Sequence, residues 1–159
     1  MKLRPGDSSD RQFVVQMAQY ACSLEDRPIP SPDDEAVVQM SPADTDLVLV
    51  ATDDRGKRLG AAWTFTHSPP LLTNNSGEAI PEMAVASIPE ARGQGVGKRL
   101  IEELSMLAST SYSQLSLNVH LRNPAVRLYT RTGFVVAGAG RGIFGVAMTK
   151  YLKDSNDKR

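Results

Sequence analysis

The chain holds one cysteine and two histidines in 159 residues. Cys22 alone cannot close an internal disulfide, and with only His67 and His120 beside it no zinc set can be assembled, so no metal is expected. Cys22 as a nucleophile is weaker than Cys22 as a small packing residue. Aromatics are scarce at 6% and do not interleave with a continuous basic stripe, which argues against nucleic acid as a partner. No apolar run approaches the ~20 residues of a membrane span, so no membrane partner is expected. The opening Met1-Lys2-Leu3-Arg4-Pro5-Gly6 lacks the apolar core of a signal peptide, and the expected location is cytoplasmic. What the chain has is enough length for one domain, residues 1–152, able to bury a core without disulfide or metal. The tail, residues 153–159, is expected to fray.

A net charge is missing too, since 18 Lys and Arg balance 18 Asp and Glu, yet the charge is unevenly placed. Nine acids lie between Glu25 and Asp54 (Glu25, Asp26, Asp33, Asp34, Glu35, Asp44, Asp46, Asp53, Asp54) against one base, Arg27. From Arg92 onward bases outnumber acids. Such a division suits a polyanionic ligand on one side and a cationic one on the other, or simply two solvated surfaces.

Leu3-Arg4-Pro5 reads as an opening strand, followed by a helix capped by Ser8 or Ser9 and running to about Cys22, with Val14, Val15, Ala18 and Ala21 as its apolar face. Four prolines between residues 25 and 46 predict a loop with a short helix near Asp33 to Met40. Leu47 to Thr52 and Leu59 to Thr66 form a hairpin about Asp53-Asp54-Arg55-Gly56-Lys57. Glu82 to Ile88 is a strand, and Val96, Leu100, Leu104 and Leu107 stripe a helix from about Gly95 to Ser109. Leu115, Leu117 and Val119 alternate as a strand. Asn123-Pro124 then starts a helix that Gly133 ends, before strands from Phe134 and from Ile143 to Leu152. The order argues for an α/β architecture with a mixed sheet.

The run Arg92-Gly93-Gln94-Gly95-Val96-Gly97 sits between a strand and a helix, where glycines allow positive φ and the first helical N–H groups point at an anion. It is not a dinucleotide fingerprint, because the third glycine would fall at Lys98. Nor is it a P-loop, because Arg92 and Arg99 stand where Gly and Ser or Thr are required. With the strand Met83-Ala84-Val85-Ala86-Ser87-Ile88 before it, the run resembles the cofactor loop of the GNAT superfamily of acetyl-CoA-dependent N-acetyltransferases. Asn123-Pro124-Ala125-Val126-Arg127-Leu128-Tyr129, closing at Gly133-Phe134, is similar to that family's second signature.

The resemblance implies a GNAT fold over about residues 1–152, with a mixed, mostly antiparallel sheet of about six or seven strands and about four helices. It implies that the backbone of Val85, Ala86 and Ser87 pairs with the pantetheine arm of acetyl-CoA. Arg92, Gly93, Gln94, Gly95, Val96, Gly97 and Lys98 would hold its pyrophosphate. Asn123 would contact the arm, and Tyr129 would protonate the departing sulfur. The spacing from Asn123 to Tyr129 is one residue shorter than in many relatives, which keeps Arg122 as an alternative contact. A homodimer is expected by the same analogy.

The implied reaction is attack of a primary amine on the thioester. A lysine-type amine near pKa ~10.4 needs roughly 4.6 kcal/mol to lose its proton at pH 7, so a base helps. Asn118 stands where some relatives carry a catalytic Glu and cannot serve. Glu82, at the head of the preceding strand, is the carboxylate candidate, against an edge-strand surface residue, and His120 is another. The resemblance builds the acceptor groove from residues 25–46 and the final strand turn 138–142, and the acids of the former lean toward a small cationic acceptor. A noncatalytic acyl-CoA-binding module and a protein N-terminal or lysine acetyltransferase are the alternatives.

Overall fold

The computed structural model describes residues 1–23 and 27–152. Glu25 and Asp26 of the acidic stretch, and the tail at 153–159, lie outside the described residues. Among the described residues seven strands form one sheet in the order β1-β2-β3-β4-β5-β7-β6: β1 (Lys2–Pro5), β2 (Val48–Thr52), β3 (Arg58–Phe65), β4 (Glu82–Ser87), β5 (Gln114–His120), β6 (Val135–Ala139) and β7 (Gly145–Tyr151). Every neighbouring pair is antiparallel except β4 and β5. Among the described residues four α-helices accompany the sheet: α1 (Arg11–Ala21), α2 (Glu35–Gln39), α3 (Val96–Ala108) and α4 (Ala125–Arg131).

The core follows from small and branched residues on the central strands. Val50, Ala51, Ala61, Ala62 and Trp63 have no exposed surface, so successive residues, which face opposite sides of the sheet, are covered on both faces. On α3 the buried stripe is Val96, Leu100, Ile101, Leu104 and Ala108. Leu107, expected in that stripe, is 40% exposed; Ile101 and Ala108 lie on the inner face instead. On α1, Val14, Met17 and Ala18 are the buried residues, so Met17 joins the apolar face while Val15 and Ala21 sit at its margin. α2 is tied down at both sides: Gln19 donates its amide to the Pro30 carbonyl before it at 2.9 Å, and Trp63 Nε1 donates to the carbonyl of Met40, which ends it, at 2.8 Å.

Three local expectations change. The α1 entry is capped not by Ser8 or Ser9 but by Asp7, which accepts from the Ser9 N–H while Asp10 accepts from the Asp7 N–H, closing a capping box on a 3₁₀ turn, Ser8–Asp10. The last strand begins at Gly145, because Ile143 and Phe144 remain in the turn after β6, Ile143 being 94% exposed. Glu82 is not on an edge strand: β4 lies between β3 and β5, and its carboxylate is buried.

Asp10 closes the β1 side of the fold. Its fully buried carboxylate accepts from Arg4 Nη1 and Nη2 at 2.7 and 2.8 Å, from Arg58 Nε at 2.7 Å and from the Asp7 N–H at 2.9 Å, joining β1, β3 and the start of α1. The Arg4 guanidinium, with the Asp7 amide and Arg58, holds the Asp10 carboxyl well below the usual carboxylate range. A depressed folded-state pKa gives stability that is complete above the unfolded value of ~3.9 and is lost as pH falls through the folded value. Asp10→Asn is therefore expected to lower stability at pH 7 by about 1–3 kcal/mol. Denaturant titrations of both proteins should also show a shallower decline for the variant below about pH 4. Equal midpoints at pH 7 would remove Asp10 from this role.

Candidate active site

β4 and β5 are registered only at Glu82 and Ser116. There the Ser116 N–H donates to the Pro81 carbonyl at 2.9 Å and its hydroxyl reaches the Ile80 and Pro81 carbonyls. Beyond that apex the strands part, because β4 stays with β3 to Gly60–Ser87 while β5 stays with β7 to His120–Gly145. The edge of β4 at Val85, Ala86 and Ser87 is thus left without a strand partner and half-buried, a template for an extended ligand. A cavity of about 590 Å³ fills the gap, with Tyr129, Asn123, Asn118, His120, Glu82, Arg141, Cys22 and His67 in its walls.

At the end of β4 the chain makes a 3₁₀ turn, Pro89–Ala91, and enters α3 through Gly93 (φ 77°) and Gly95 (φ 80°). Both angles lie in the region a side chain penalises, and nothing crowds either position, so backbone shape alone calls for glycine. The first helical hydrogen bond is from the Arg99 N–H to the Gly95 carbonyl at 3.2 Å, which leaves the amides of Val96, Gly97 and Lys98 without a helical acceptor. Gly97 serves packing instead, since a Cβ there would meet Leu128 of α4 at 3.1 Å. A second cavity, of about 660 Å³, is walled by Gly93, Gly95, Val96 and Gly97 with Arg92, Lys98 and Arg131. Unpaired amides, a helix N-terminus and three cations make an anion site. Gln94 lies on this loop, exposed, and turns its amide to the Glu90 carbonyl at 3.1 Å. Arg131 carries no signal in the sequence, where nothing distinguishes it from Arg127 four residues earlier; only the seating of α4 against α3 brings it there.

Across the cavity, Asn123 caps α4, its Oδ1 accepting the Ala125 N–H at 2.9 Å. The cap uses the oxygen, so the amide nitrogen is available to a ligand. Arg122 does not line the cavity; its guanidinium lies 5.4 Å from the Phe144 ring centroid. Tyr129 packs edge-on against Phe134, centroids 6.0 Å apart, and burial pushes its phenol up to about 12. It is a proton carrier and hydrogen-bond donor at any working pH.

The two histidines differ in tautomer. His120 Nδ1 accepts the Arg122 N–H at 3.1 Å, which assigns the neutral ring's proton to Nε2 and removes that nitrogen as a base. His67 Nδ1 lies 3.0 Å from the Pro69 carbonyl, which only accepts, so its proton is on Nδ1. Burial, with Asp34 adding to it, pushes the Cys22 thiol up to about 11. A protonated thiol is a poor nucleophile at neutral pH.

Glu82 is held at the apex by Arg141, whose Nη1 and Nη2 donate to its two carboxylate oxygens at 2.7 and 2.6 Å. Asn118 accepts the Arg141 N–H on its Oδ1 at 2.8 Å and so pins the turn between β6 and β7. A Cβ on Gly140 would collide with that oxygen, and one on Gly145 with the Arg141 carbonyl, so these glycines let the turn close tightly enough for Arg141 to reach inward. The resemblance puts residues 138–142 in the acceptor groove, but nothing in the sequence singles out Arg141 within that turn or pairs it with Glu82. Of the acids between Asp33 and Asp54, none lines the cavity, while the charge of Asp34 is felt at Cys22 in its wall.

Residues 44–136 match the acetyltransferase (GNAT) domain family. The chain is 31% identical over 138 residues to a mycothiol acetyltransferase of Pseudarthrobacter chlorophenolicus, covering 82% of this chain and 40% of that protein. It is 45% identical over 62 residues to a 5-NmdU N-acetyltransferase of Pseudomonas phage PaMx11, covering 38% of this chain and 43% of that protein. It thus spans less than half the length of each of these relatives. A phosphinothricin acetyltransferase from Sinorhizobium meliloti, solved in complex with AcCoA, superposes with a TM-score of 0.71 at 20% identity, over 99% of this chain and 91% of that one. The parted strands, the glycine loop and the matched domain place the chain in the GNAT acetyltransferase family.

Proposed function

We propose that the chain transfers the acetyl group of acetyl-CoA to the primary amine of a small acceptor. The observation that carries this is the continuity of the parted β4 edge with the anion site at the α3 N-terminus. An extended arm pairing with Val85, Ala86 and Ser87 would run directly to phosphates held by the Gly93 to Lys98 amides and by Arg92, Lys98 and Arg131. Asn123 would donate its amide N–H to the arm, and the thioester would rest near Tyr129 and the Glu82 apex.

The amine nitrogen attacks the acetyl carbon, backbone amides of β4 stabilise the oxyanion, and the C–S bond breaks. Tyr129 is the acid of this reading. Full transfer from a phenol at about 12 to a thiolate near ~8.5 is uphill by roughly 5 kcal/mol, so Tyr129 acts chiefly by hydrogen bonding to the developing thiolate, whose final proton comes from the amine. Glu82 receives the first proton of the ammonium. The clasp on Glu82 and the amide at Asn118 are what favour the second reading, a noncatalytic acyl-CoA-binding module.

Calorimetric titration with acetyl-CoA, against ATP and NAD, should show micromolar binding of acetyl-CoA alone, and Gly95→Glu, which puts a carboxylate into the anion site, should abolish it. No binding by the unaltered chain would refute the cofactor assignment. Tyr129→Phe is expected to lower kcat for thiol release by about 10- to 100-fold with acetyl-CoA affinity nearly unchanged. Binding without thiol release by any amine would support the noncatalytic module.

A further inference from the structure

Three charged residues line the β4/β5 cavity among the described residues: Arg92 at the glycine-loop end, and Glu82 and Arg141 together at the other. The latter end faces what must be the acceptor side if acetyl-CoA lies as proposed. Arg141 is not exhausted by its clasp. Of the five N–H donors of a guanidinium, one on Nη1 and one on Nη2 go to Glu82, and Nη2 also approaches the Pro69 carbonyl at 3.4 Å. Nε–H and the second Nη1 N–H have no acceptor among the described residues. No buried side-chain nitrogen or oxygen among those residues lacks a partner, so the unpartnered Nε is open to solvent or ligand, and the side chain is 30% exposed.

We propose that the Glu82–Arg141 pair reads a zwitterion: the acceptor is a small α-amino acid whose carboxylate binds Arg141 and whose amine, the group acetylated, lies against Glu82. The inference rests on the amine acetylation proposed above. Adjacent opposite charges on the wall match an ammonium and a carboxylate held on one carbon. Proton bookkeeping gives a stronger reason. The ammonium passes one proton to Glu82, which neutralises the carboxylate that balances Arg141. With a carboxylate on the acceptor, the guanidinium keeps a counter-charge throughout; with a plain amine it is stranded in a partly buried site. The amine then forms the N–C bond as the C–S bond breaks, and its second proton goes to the thiolate. The products are the N-acetyl amino acid and CoA thiol, with Glu82 returning its proton to solvent.

The test sets common α-amino acids beside their carboxamides and decarboxylated amines. Each is titrated calorimetrically into CoA-saturated protein and assayed for thiol release with acetyl-CoA. At least one acid should bind about tenfold or more tightly than its matched amide and amine, and the same ratio should appear in KM. Arg141→Gln should bring that ratio to about one, and Arg141→Lys, which keeps the charge and loses the fork, should restore it only in part. Glu82→Gln combined with Arg141→Gln leaves no unpaired charge and keeps the comparison available should the single variant not fold. The proposal is overturned if amides and amines do as well as the acids, if the ratio survives Arg141→Gln, or if no acid binds. Acetylation without preference for acids would remove the role of Arg141 and leave the acetyltransferase reading standing. Arg141-dependent binding of acids without thiol release would do the reverse.

Discussion

Everything at this site depends on the failure of two neighbouring strands to stay together. β4 and β5 share a single registered pair at Glu82 and Ser116, after which each follows its other neighbour. A parallel ladder carried further would satisfy the β4 edge with protein. Its loss leaves backbone donors and acceptors at Val85 to Ser87 that water or an extended ligand must satisfy. The same divergence opens the cavity that Tyr129, Asn123 and the Glu82 pair line.

The glycine loop extends that edge rather than forming a separate site. β4 ends in a single 3₁₀ turn, and two residues of positive φ bring the chain into α3 with its first amides unpaired. Arg92 and Lys98 come with the loop. Arg131 comes from α4, which can seat there because Gly97 has no side chain to keep Leu128 away. Packing between two helices therefore sets part of the charge of the anion site.

At the opposite end, one arginine links three parts of the fold. Arg141 extends from the turn between β6 and β7, is fixed at its N–H by Asn118 of β5, and grips Glu82 of β4. It closes the bottom of the gap that the strands leave open. Asn118, unable to act as a base, places the residue that accompanies the carboxylate.

Much of this was legible in the sequence. The glycines at Gly93 and Gly95 report positive φ, the Asn123-Pro124 start and Gly133 end bracket α4, and the alternation of Leu115, Leu117 and Val119 marks β5, because each is a local demand of backbone geometry. The nine acids were legible too, but only as composition; those described between Asp33 and Asp54 stay out of the cavity walls. The bidentate grip of Arg141 on Glu82, the pinning of that turn by Asn118 and the arrival of Arg131 beside the loop join residues far apart along the chain. No periodicity or spacing carries such pairings. The elements, their order and the loop that faces an anion are already written in the chain, since these follow from local backbone preference. Which charges meet in the site is settled only when the strands part and the helices pack, since charge pairing depends on distances that the folded arrangement creates.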